Sequence, residues 1–376
     1  MQKNDIYPGR LGVQQRVLPA YRAAFFDQLA TCCSRGVSVF AGLPLEKEGI
    51  KPVERLDKAQ LSMGRNRHLL DPSASLYLCW QSGLLRWLDD WQPDALIVEA
   101  NPRYPLTRLA IRWMHTRGRV VFGWGLGAPG LSGKLAIMRG WERLSFLRSL
   151  DGVIAYSQRG AQEYRKLGVP EDRVFVAPNA VDPRPTSPPR LKTLSTNRVP
   201  CVLFIGRLQE RKRVDLLFRA CAAMPENKQP RLVIVGDGPA RAGLEKLAQQ
   251  VYPRAEFPGA KHGDELEPYF DQADLFVLPG TGGLAVQQAM AHGLPVIVAQ
   301  GDGTQDDLVR PGNGWQIPPD DLPALQAALM EALDSPERLR QMGQEAYRIV
   351  YEEVNLENMA ASFVQALNHI SSVSRT

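Results

Sequence analysis

The chain has 376 residues, of which 44% are hydrophobic and 23% are charged, so it can bury a core of ordinary size. This composition excludes a disordered or collagen-like chain. The length predicts two domains, because single domains usually contain roughly 100 to 200 residues. No apolar run approaches the ~18 residues of a membrane span and the first ten residues lack a signal-peptide core, so we expect a cytoplasmic protein.

Charge is unevenly distributed along the chain, whose formal net charge is +5. Residues 1–180 contain 25 Lys and Arg against 16 Asp and Glu, whereas the remainder contains 20 against 24. The first half is therefore +9 and the second half −4. An anionic partner of the first half and an ordinary solvated surface both explain this difference.

Short apolar or β-branched runs alternate with segments of helical period, which predicts βαβ units around parallel sheets. In the first half, the strand candidates lie at residues 11–15, 37–41, 76–80, 95–99, 119–123, 152–156 and 173–177. In the second half, they lie at residues 199–205, 231–235, 255–257, 274–278 and 295–299. The pattern is typical of an α/β protein with two doubly wound domains.

Residues 178–200 interrupt this pattern, because they contain six prolines in 23 positions. We therefore predict an N-terminal domain at 1–182, a Pro-rich linker at 183–200 and a second domain at 201–352. A C-terminal helix at 353–376 follows, and its return to the N-terminal domain is one option. Ligands of doubly wound sheets bind at the carboxyl ends of the strands, so the predicted site is a cleft between the domains.

Three loops of the second half contain residues suited to phosphate. In GRLQERK, Gly206 leaves a strand, and the nearby cations Arg207 and Lys212 suit a diphosphate. In GDGPARAGLEKL, the chain turns from a strand into a helix at Gly236, but Arg241 replaces the third glycine of a dinucleotide fingerprint and argues against NAD. An exposed basic loop and a tight turn are the alternative interpretations.

The third loop lies in PGTGGLAVQQAMAHGLPVIV, where Gly280, Thr281, Gly282 and Gly283 lead from a strand into a short helix. Glycines let the backbone approach a ligand closely, and the free amides of the helix favour an anion such as phosphate. A tight bend between packed elements would also explain the glycines.

In this order and within one α/β domain, the three loops resemble the C-terminal domain of retaining GT-B glycosyltransferases of the family-four type. The resemblance covers about residues 150–350, including the stretch from Tyr156 to Asp182, and the first half is only loosely similar. It implies two Rossmann-like domains facing across a cleft. It also implies retaining, metal-independent transfer of a sugar from a nucleoside diphosphate to an acceptor held by the N-terminal domain.

By this resemblance, Arg207 and Lys212 are the catalytic clamp on the donor diphosphate. The other expected donor-binding residues include the loop beside the nucleotide base and the glycine-rich loops: Gly206, Gly236, Lys261, His262, Gly280, Thr281, Gly282, Gly283, Leu284 and Gln288. The amides around Gly283 and Leu284 correspond to the phosphate loop.

The chain departs from the family at two glutamates separated by seven residues, where it has Gly280 and Gln288. Gln288 can hydrogen-bond a ribose hydroxyl without the charge, whereas Gly280 has no side chain. Thr281 is a candidate replacement for part of the lost sugar contact. We expect Gln288→Glu to fold normally and to tighten nucleotide binding.

In the first half, Glu99, Asn101 and Arg103 follow a predicted strand and are candidates for acceptor contacts. Trp124 lies between glycines and suits either a sugar platform or a core position. Family members often have a glycine-rich loop after the first strand, but the matching stretch QQRVLPAYR has none. Arg16 and Arg22 are candidates to supply positive charge there instead.

Residues 131–150 form a predicted basic helix whose cations do not share one face, so the sequence indicates peripheral membrane contact only weakly. The helix also has an apolar stripe, which we expect to pack on the first-domain sheet: Leu131, Leu135, Met138, Trp141, Leu144 and Leu147.

Several motifs are missing from the sequence. There is no D-x-D, and the five cysteines, at 32, 33, 79, 201 and 221, lack metal-ligand spacing and are expected to be small buried residues. No G-x-S-x-G elbow or P-loop lysine motif occurs. We therefore expect no cofactor and no metal.

The expected partners are a nucleotide sugar and a sugar-bearing or lipid-linked acceptor, without nucleic acid. The alternatives are a catalytically silent relative that binds a sugar nucleotide as a sensor or partner subunit, and a sugar-nucleotide epimerase of the same fold. The expected location is the cytoplasm, with the inner face of the membrane as the alternative.

Overall fold

The computed structural model describes residues 6–72, 74, 76–131, 133, 135–189, 198–282, 284–301 and 303–373, with side chains as far as residue 371. The chain divides into two compact units. Unit 1 comprises residues 1–181 with 356–376, and unit 2 comprises residues 182–355. Each contains a parallel sheet with helices, which confirms the predicted pair of Rossmann-like α/β domains.

Unit 1 has nine strands within the described residues: β1 (Leu11–Val17), β2 (Val37–Gly42), β3 (Gln60–Met63), β4 (Arg65–Leu69), β5 (Leu78–Ser82), β6 (Ala95–Glu99), β7 (Val120–Gly125), β8 (Gly152–Ala155) and β9 (Val174–Val176). The main sheet has the order β3-β2-β1-β6-β7-β8-β9. β1 pairs in parallel with both β2 and β6, with Val13 opposite Val39 and Ile97. The strand order reverses between β1 and β6, and ligands of such sheets bind at this point.

The helices of the first 181 residues are α1 (Ala23–Thr31), α2 (Leu84–Trp91), α3 (Pro105–His115), α4 (Ala136–Arg148) and α5 (Gln158–Lys166). Sequence and structure explain several of their ends. Pro105 opens α3, where its missing amide hydrogen is not needed, and the Ser157 side chain accepts the amide hydrogen of Gly160 at the start of α5.

The predicted strand at 76–80 is shifted to 78–82 and lies outside the main sheet. This strand, β5, pairs antiparallel with β4, which the sequence analysis missed. β4 reads RNRHL and is exposed at alternate positions, so it lacks the apolar run of a central strand. In this hairpin, Gln81 Oε1 accepts a hydrogen bond from the buried Gln14 Nε2 at 2.8 Å.

The expectation that the apolar stripe of residues 131–150 packs on the sheet is wrong for much of α4. Phe146 and Leu147, at its C-terminal end, are buried, but Ile137, Met138 and Trp141 are 79%, 55% and 70% exposed. Only the last turns of the helix reach the core. An exposed apolar patch of this kind suggests a binding surface.

Unit 2 has six strands in the part of the chain that the structure describes: β10 (Cys201–Ile205), β11 (Arg231–Val235), β12 (Ala255–Gly259), β13 (Leu275–Leu278), β14 (Val296–Ala299) and β15 (Gly314–Ile317). Their order is β12-β11-β10-β13-β14-β15, with every pair parallel. β10 is completely buried, as expected for a central strand covered on both faces. The order reverses between β10 and β13, so the loops after these strands meet at the switch point.

The helices that follow in chain order are α6 (Val214–Ala222), α7 (Arg241–Val251), α8 (Glu267–Gln272), α9 (Leu284–Ala291), α10 (Thr304–Leu308), α11 (Leu322–Leu333), α12 (Pro336–Glu352) and α13 (Leu356–Val373). The first seven belong to unit 2, whereas α13 belongs to unit 1. There, the Phe363 ring lies 5.0 Å from Phe25 and 5.1 Å from Trp124, centroid to centroid.

The cysteines are all free, and four of them are buried while Cys32 is half-buried. This agrees with their predicted role as small core residues. Every described helix is too short or too polar to serve as a membrane span. Among the described residues, no three His, Cys, Asp or Glu side chains group closely enough to hold a metal ion.

Candidate functional site

A cavity of about 610 Å³ lies at the carboxyl ends of β10, β11 and β12 in unit 2. Six of the residues that the sequence predicted for donor binding line it: Gly206, Arg207, Gly236, Lys261, His262 and Gln288. They come from four separate segments of the chain. The fold therefore brings together residues up to 82 positions apart, from Gly206 to Gln288, in one place.

Glycine at 236 is required for the loops after β10 and β11 to touch. Gly236 has φ +146°, and a Cβ there would overlap the carbonyl oxygen of Gly206. The Gly206 amide donates to Val235 O at 3.0 Å, and the Leu208 amide donates to Asp237 O at 2.8 Å. The two loops thus pack backbone against backbone, which fixes this wall of the cavity.

Lys261 and His262 lie on the loop after β12. The Lys261 ammonium is 3.7 Å from Glu265 Oε1, so part of its charge is offset. His262 is exposed and precedes the short 3₁₀ helix Gly263–Leu266, where Glu265 accepts its amide hydrogen at 3.3 Å. This loop can present a cation and an imidazole to a ligand in the cavity.

Lys212 does not line this cavity. It ends the 3₁₀ helix Glu210–Lys212, is half-buried, and has its ammonium beside the backbone of Gly282. Burial and then the positive charge of Arg211 lower the pKa of Lys212 to about 8. The amine is therefore mostly charged at pH 7 and gains protonation when an anion binds beside it.

Arg211 is a candidate that the sequence analysis missed, although it lies within the GRLQERK loop. Its Nη1 donates to the Thr281 hydroxyl at 3.3 Å, and its carbonyl oxygen accepts the Thr281 amide hydrogen at 3.0 Å. These bonds join the loop after β10 to the loop after β13. Arg211, Gly280 and Thr281 line a second cavity of about 820 Å³.

The structure gives a physical reason for glycine at 280. A Cβ at this position would overlap Arg211 O and the Lys212 backbone. A glutamate here would require the segment around Arg211 and Lys212 to move. Gly283 lies outside the described residues, and Leu284 begins α9 with 39% of its surface exposed.

Gln288 has a neighbour that the sequence did not predict. Its side chain hydrogen-bonds the Asp182 carboxyl, whose Oδ2 is buried without a partner among the described residues. Burial raises the pKa of Asp182. An amide that donates to a carboxylate uses its NH₂ group, so its carbonyl oxygen remains available to accept a hydroxyl hydrogen.

We now expect Gln288→Glu to destabilise the protein, because it places a second carboxyl against Asp182 and raises the pKa of the pair. When folding raises the pKa of an acid, its contribution to stability is fully present below its ordinary pKa, which is 3.8 for Asp182. This contribution is lost as the pH rises through the pKa of the folded state, because the acid then ionises in the folded protein. The deficit relative to the parent should grow between about pH 4 and 7. Thermal unfolding across this range measures it, with about 2–4 °C lost per kcal/mol.

The matched control is Asp182→Asn/Gln288→Glu, which keeps one carboxyl and should remove the pH-dependent deficit. If Gln288→Glu melts like the parent at every pH and binds nucleotide more tightly, the original expectation from sequence holds and the Asp182 contact has no influence.

The predicted acceptor residues lie in unit 1, where a cavity of about 460 Å³ opens at the carboxyl ends of β1, β6 and β7. Glu99, Asn101, Arg103 and Trp124 line it. Arg16 is not among its lining residues. The Arg16 guanidinium instead forms a salt bridge with Glu48 at 2.6 Å. This pair offsets the positive charge that we expected Arg16 to supply to a ligand.

Glu99 and Trp124 have defined surroundings within this cavity. Glu99 Oε1 accepts the amide hydrogen of Arg16 at 2.6 Å, and removal of the carboxyl from water raises its pKa. Trp124 is 1% exposed and packs edge-on against Tyr156 and Phe363. The indole is thus a core residue with one edge at the cavity, and not an open platform for a sugar.

Comparisons with known proteins cover both units. The family model described as Glycosyltransferase Family 4 matches residues 37–184, and the one described as Glycosyl transferases group 1 matches residues 190–349. A putative colanic acid biosynthesis glycosyltransferase, WcaL, of Escherichia coli (strain K12) is 28% identical over 243 residues, which are 60% of this chain and 59% of that protein.

A GDP-mannose-dependent alpha-mannosyltransferase of Mycobacterium tuberculosis (strain CDC 1551 / Oshkosh) is 39% identical over 122 residues, which are 32% of this chain and 30% of that protein. Both matches span less than two thirds of the relative's own length.

Two solved structures share the fold over nearly the whole chain. Sucrose-phosphate synthase from Thermosynechococcus elongatus has a TM-score of 0.69 at 19% identity, covering 97% of this chain and 99% of that one. Anabaena HepE in complex with UDP also has a TM-score of 0.69, at 15% identity, covering 96% and 99%.

Two Rossmann-like units, the two family models and these structural neighbours define a glycosyltransferase with the GT-B fold. Within this class, the chain belongs to the family-four type, the glycosyl transferases group 1.

Proposed function

We propose that the protein transfers a sugar from a nucleoside-diphosphate sugar to a glycan, glycolipid or small-molecule acceptor, with retention of configuration and without a metal ion. The observation that carries this proposal is the convergence of Gly206, Arg207, Gly236, Lys261 and Gln288 in one cavity of unit 2. Loops that contain glycine and cations suit the phosphates of a nucleotide, and an amide carbonyl oxygen suits its ribose hydroxyls.

The chemical step is departure of the diphosphate from the anomeric carbon. Negative charge grows on the leaving phosphate, and fixed cations that meet it lower the barrier. Arg207, at the cavity, and Lys212, at the loop of residues 280–282, supply that charge. A cation from the protein then takes the place that a metal ion has in metal-dependent transferases.

Binding and turnover are tested separately. Calorimetric titration with UDP, GDP, ADP and TDP and their glucose or mannose derivatives should identify one preferred donor. At a hundredfold excess over Kd, this donor should stabilise the protein by about 2.7 kcal/mol. Slow release of the sugar to water should follow in the presence of EDTA, and the anomeric configuration of the first product reports retention.

A second candidate is a silent relative that binds the sugar nucleotide as a sensor or partner subunit. The observation that favours it is Gly280, where the packing against Arg211 and Lys212 leaves no room for the family's glutamate. Such a protein would bind the donor and leave it intact, so donor hydrolysis distinguishes the two.

We further propose that unit 1 makes peripheral contact with an anionic membrane through Ile137, Met138 and Trp141 of α4. Arg148, in the last turn of the same helix, is exposed as well, and a surface with both apolar and basic groups favours anionic lipid. Burial of each apolar side chain contributes on the order of 1–2 kcal/mol. Ile137→Ser/Trp141→Ser should therefore weaken binding to phosphatidylglycerol vesicles by roughly tenfold or more.

Vesicle co-sedimentation measures this effect, with phosphatidylcholine vesicles as the neutral comparison. Leu109→Ser is the matched control, because Leu109 is an exposed leucine on α3, with 46% of its surface accessible. Equal sedimentation of parent and double variant would contradict the proposed contact.

A further inference from the structure

The cavity of unit 1 contains a buried cation, Arg22, that forms no ion pair with any residue that the structure describes. Arg22 is 5% exposed, and its Nη1 is buried with no hydrogen-bond partner among the described residues. Its guanidinium carbon lies 4.9 Å from the ring centroid of Trp124, 5.3 Å from that of Tyr156 and 5.4 Å from that of Tyr21. Aromatic faces attract a cation, but they do not satisfy its N–H donors.

A second unpartnered donor lies at the same cavity. Trp124 Nε1 is buried without a hydrogen-bond partner in the described part of the chain, and an indole N–H can only donate. Buried polar groups are normally hydrogen-bonded, and an unsatisfied donor costs free energy. Arg22 Nη1 and Trp124 Nε1 can only donate, so they call for a ligand group that accepts hydrogen bonds.

The nearby carboxylate does not fill this role. Glu99 Oε1 accepts the Arg16 amide hydrogen, and Tyr104 hydrogen-bonds the same carboxyl. The other glutamate at the cavity, Glu142, is exposed on α4. Within the described residues, neither glutamate hydrogen-bonds Arg22 Nη1.

Three more arginines line the cavity: Arg103, Arg139 and Arg143. They are close enough to influence one another, since burial and then the positive charges of Arg139 and Arg103 lower the pKa of Arg143. With Arg22, the lining contains four arginines against two glutamates within the described residues. Such a surface attracts anions.

We infer that this cavity is a subsite for an oxyanion, a carboxylate or a phosphate, carried by the acceptor. A guanidinium can bind such a group through two parallel N–H donors, and the Trp124 indole adds a third. The volume of about 460 Å³ suits a group of monosaccharide size. The anion site is a property of unit 1, and only its assignment to the acceptor rests on the proposed function.

The test is calorimetric titration of the full chain with D-glucuronate and with glycerol 1-phosphate, which represent the two sources of oxyanion. Methyl glucoside is the neutral probe of similar size. The background is Arg207→Gln/Lys212→Gln, so that anions binding in unit 2 do not contribute. We expect at least one acidic probe to bind at least tenfold more tightly than methyl glucoside, and the stronger one identifies the source.

Arg22→Met retains an extended side chain between the aromatic rings and should weaken acidic binding at least tenfold. Trp124→Phe removes only the indole donor and should weaken it severalfold, which keeps the test available if Arg22→Met does not fold. Arg108→Met is the matched control, because Arg108 lies over the Phe146 ring at 5.5 Å and is outside this cavity.

Equal binding of acidic and neutral probes would overturn the inference, as would acidic binding that Arg22→Met and Trp124→Phe leave unchanged. Failure of the proposed function is seen separately, because it appears as the absence of nucleotide binding or donor turnover in the parent. Either result can occur without the other.

Discussion

Lys212→Ala and Arg207→Ala are each expected to lower kcat for transfer or donor hydrolysis by roughly 10² to 10³, while donor affinity falls less. The reason is that each cation meets charge that grows as the diphosphate departs, so its interaction is stronger in the transition state than in the bound donor. Stability should change little, because Arg207 is exposed and Lys212 is half-buried in a loop.

Single-turnover rates beside calorimetric donor affinities measure these effects for the parent and both variants. Lys246→Ala is the matched control, because Lys246 is an exposed lysine of α7 in the same unit. An active parent that keeps its rate after either replacement would contradict the clamp. A silent relative would instead show weaker nucleotide binding with no turnover to lose.

The lowered pKa of Lys212 adds a dependence on pH to this prediction. The amine is charged below about pH 8 and neutral above it, so donor affinity should fall as pH rises through that value. Lys212→Arg should remove this dependence, because the guanidinium stays charged across the range. An unchanged pH profile in Lys212→Arg would assign the titration to another group.

Gly280→Ala is expected to destabilise the protein by about 1–3 kcal/mol, because its Cβ would overlap the backbone of Arg211 and Lys212. The overlap involves backbone atoms, so relief requires movement of the whole loop after β10. This movement would displace Lys212 and lower the rate of donor hydrolysis along with stability.

Gly243→Ala provides the matched control, because a Cβ at 243 meets nothing within 4 Å and the residue lies inside α7. It should stabilise the protein by about 0.5–1 kcal/mol. Thermal unfolding and donor hydrolysis measured on both variants check the prediction. A Gly280→Ala variant that melts and reacts like the parent would show that the two loops separate easily.

The sequence predicted the central strands well because they are nearly continuous apolar runs. β10, β11 and β14 lie within or on the predicted segments, and each is almost completely buried. β3, β4 and β15 were missed, since QLSM, RNRHL and GWQI are short and carry polar groups at exposed or half-exposed positions. Such strands are defined by their partners across the sheet and not by their own pattern.

The candidate donor site was predicted at the level of loops, because glycines and cations after strands are visible in the sequence. The sequence does not show which residue each of these side chains contacts. Asp182 beside Gln288, Arg211 across from Thr281 and Glu48 on Arg16 each join residues distant along the chain. Periodicity along the chain does not predict these pairs, because they depend on how the loops fold together.

The return of α13 to unit 1 has a consequence for the order in which the chain can fold during synthesis. Residues 182–355 form a continuous segment, so unit 2 can fold without any residue made after position 355. Unit 1 cannot, because Phe25 and Trp124 pack against Phe363. The half of the protein that is made first is therefore the last to close its core, and a nascent chain halted before residue 356 would leave these aromatic rings exposed to chaperones.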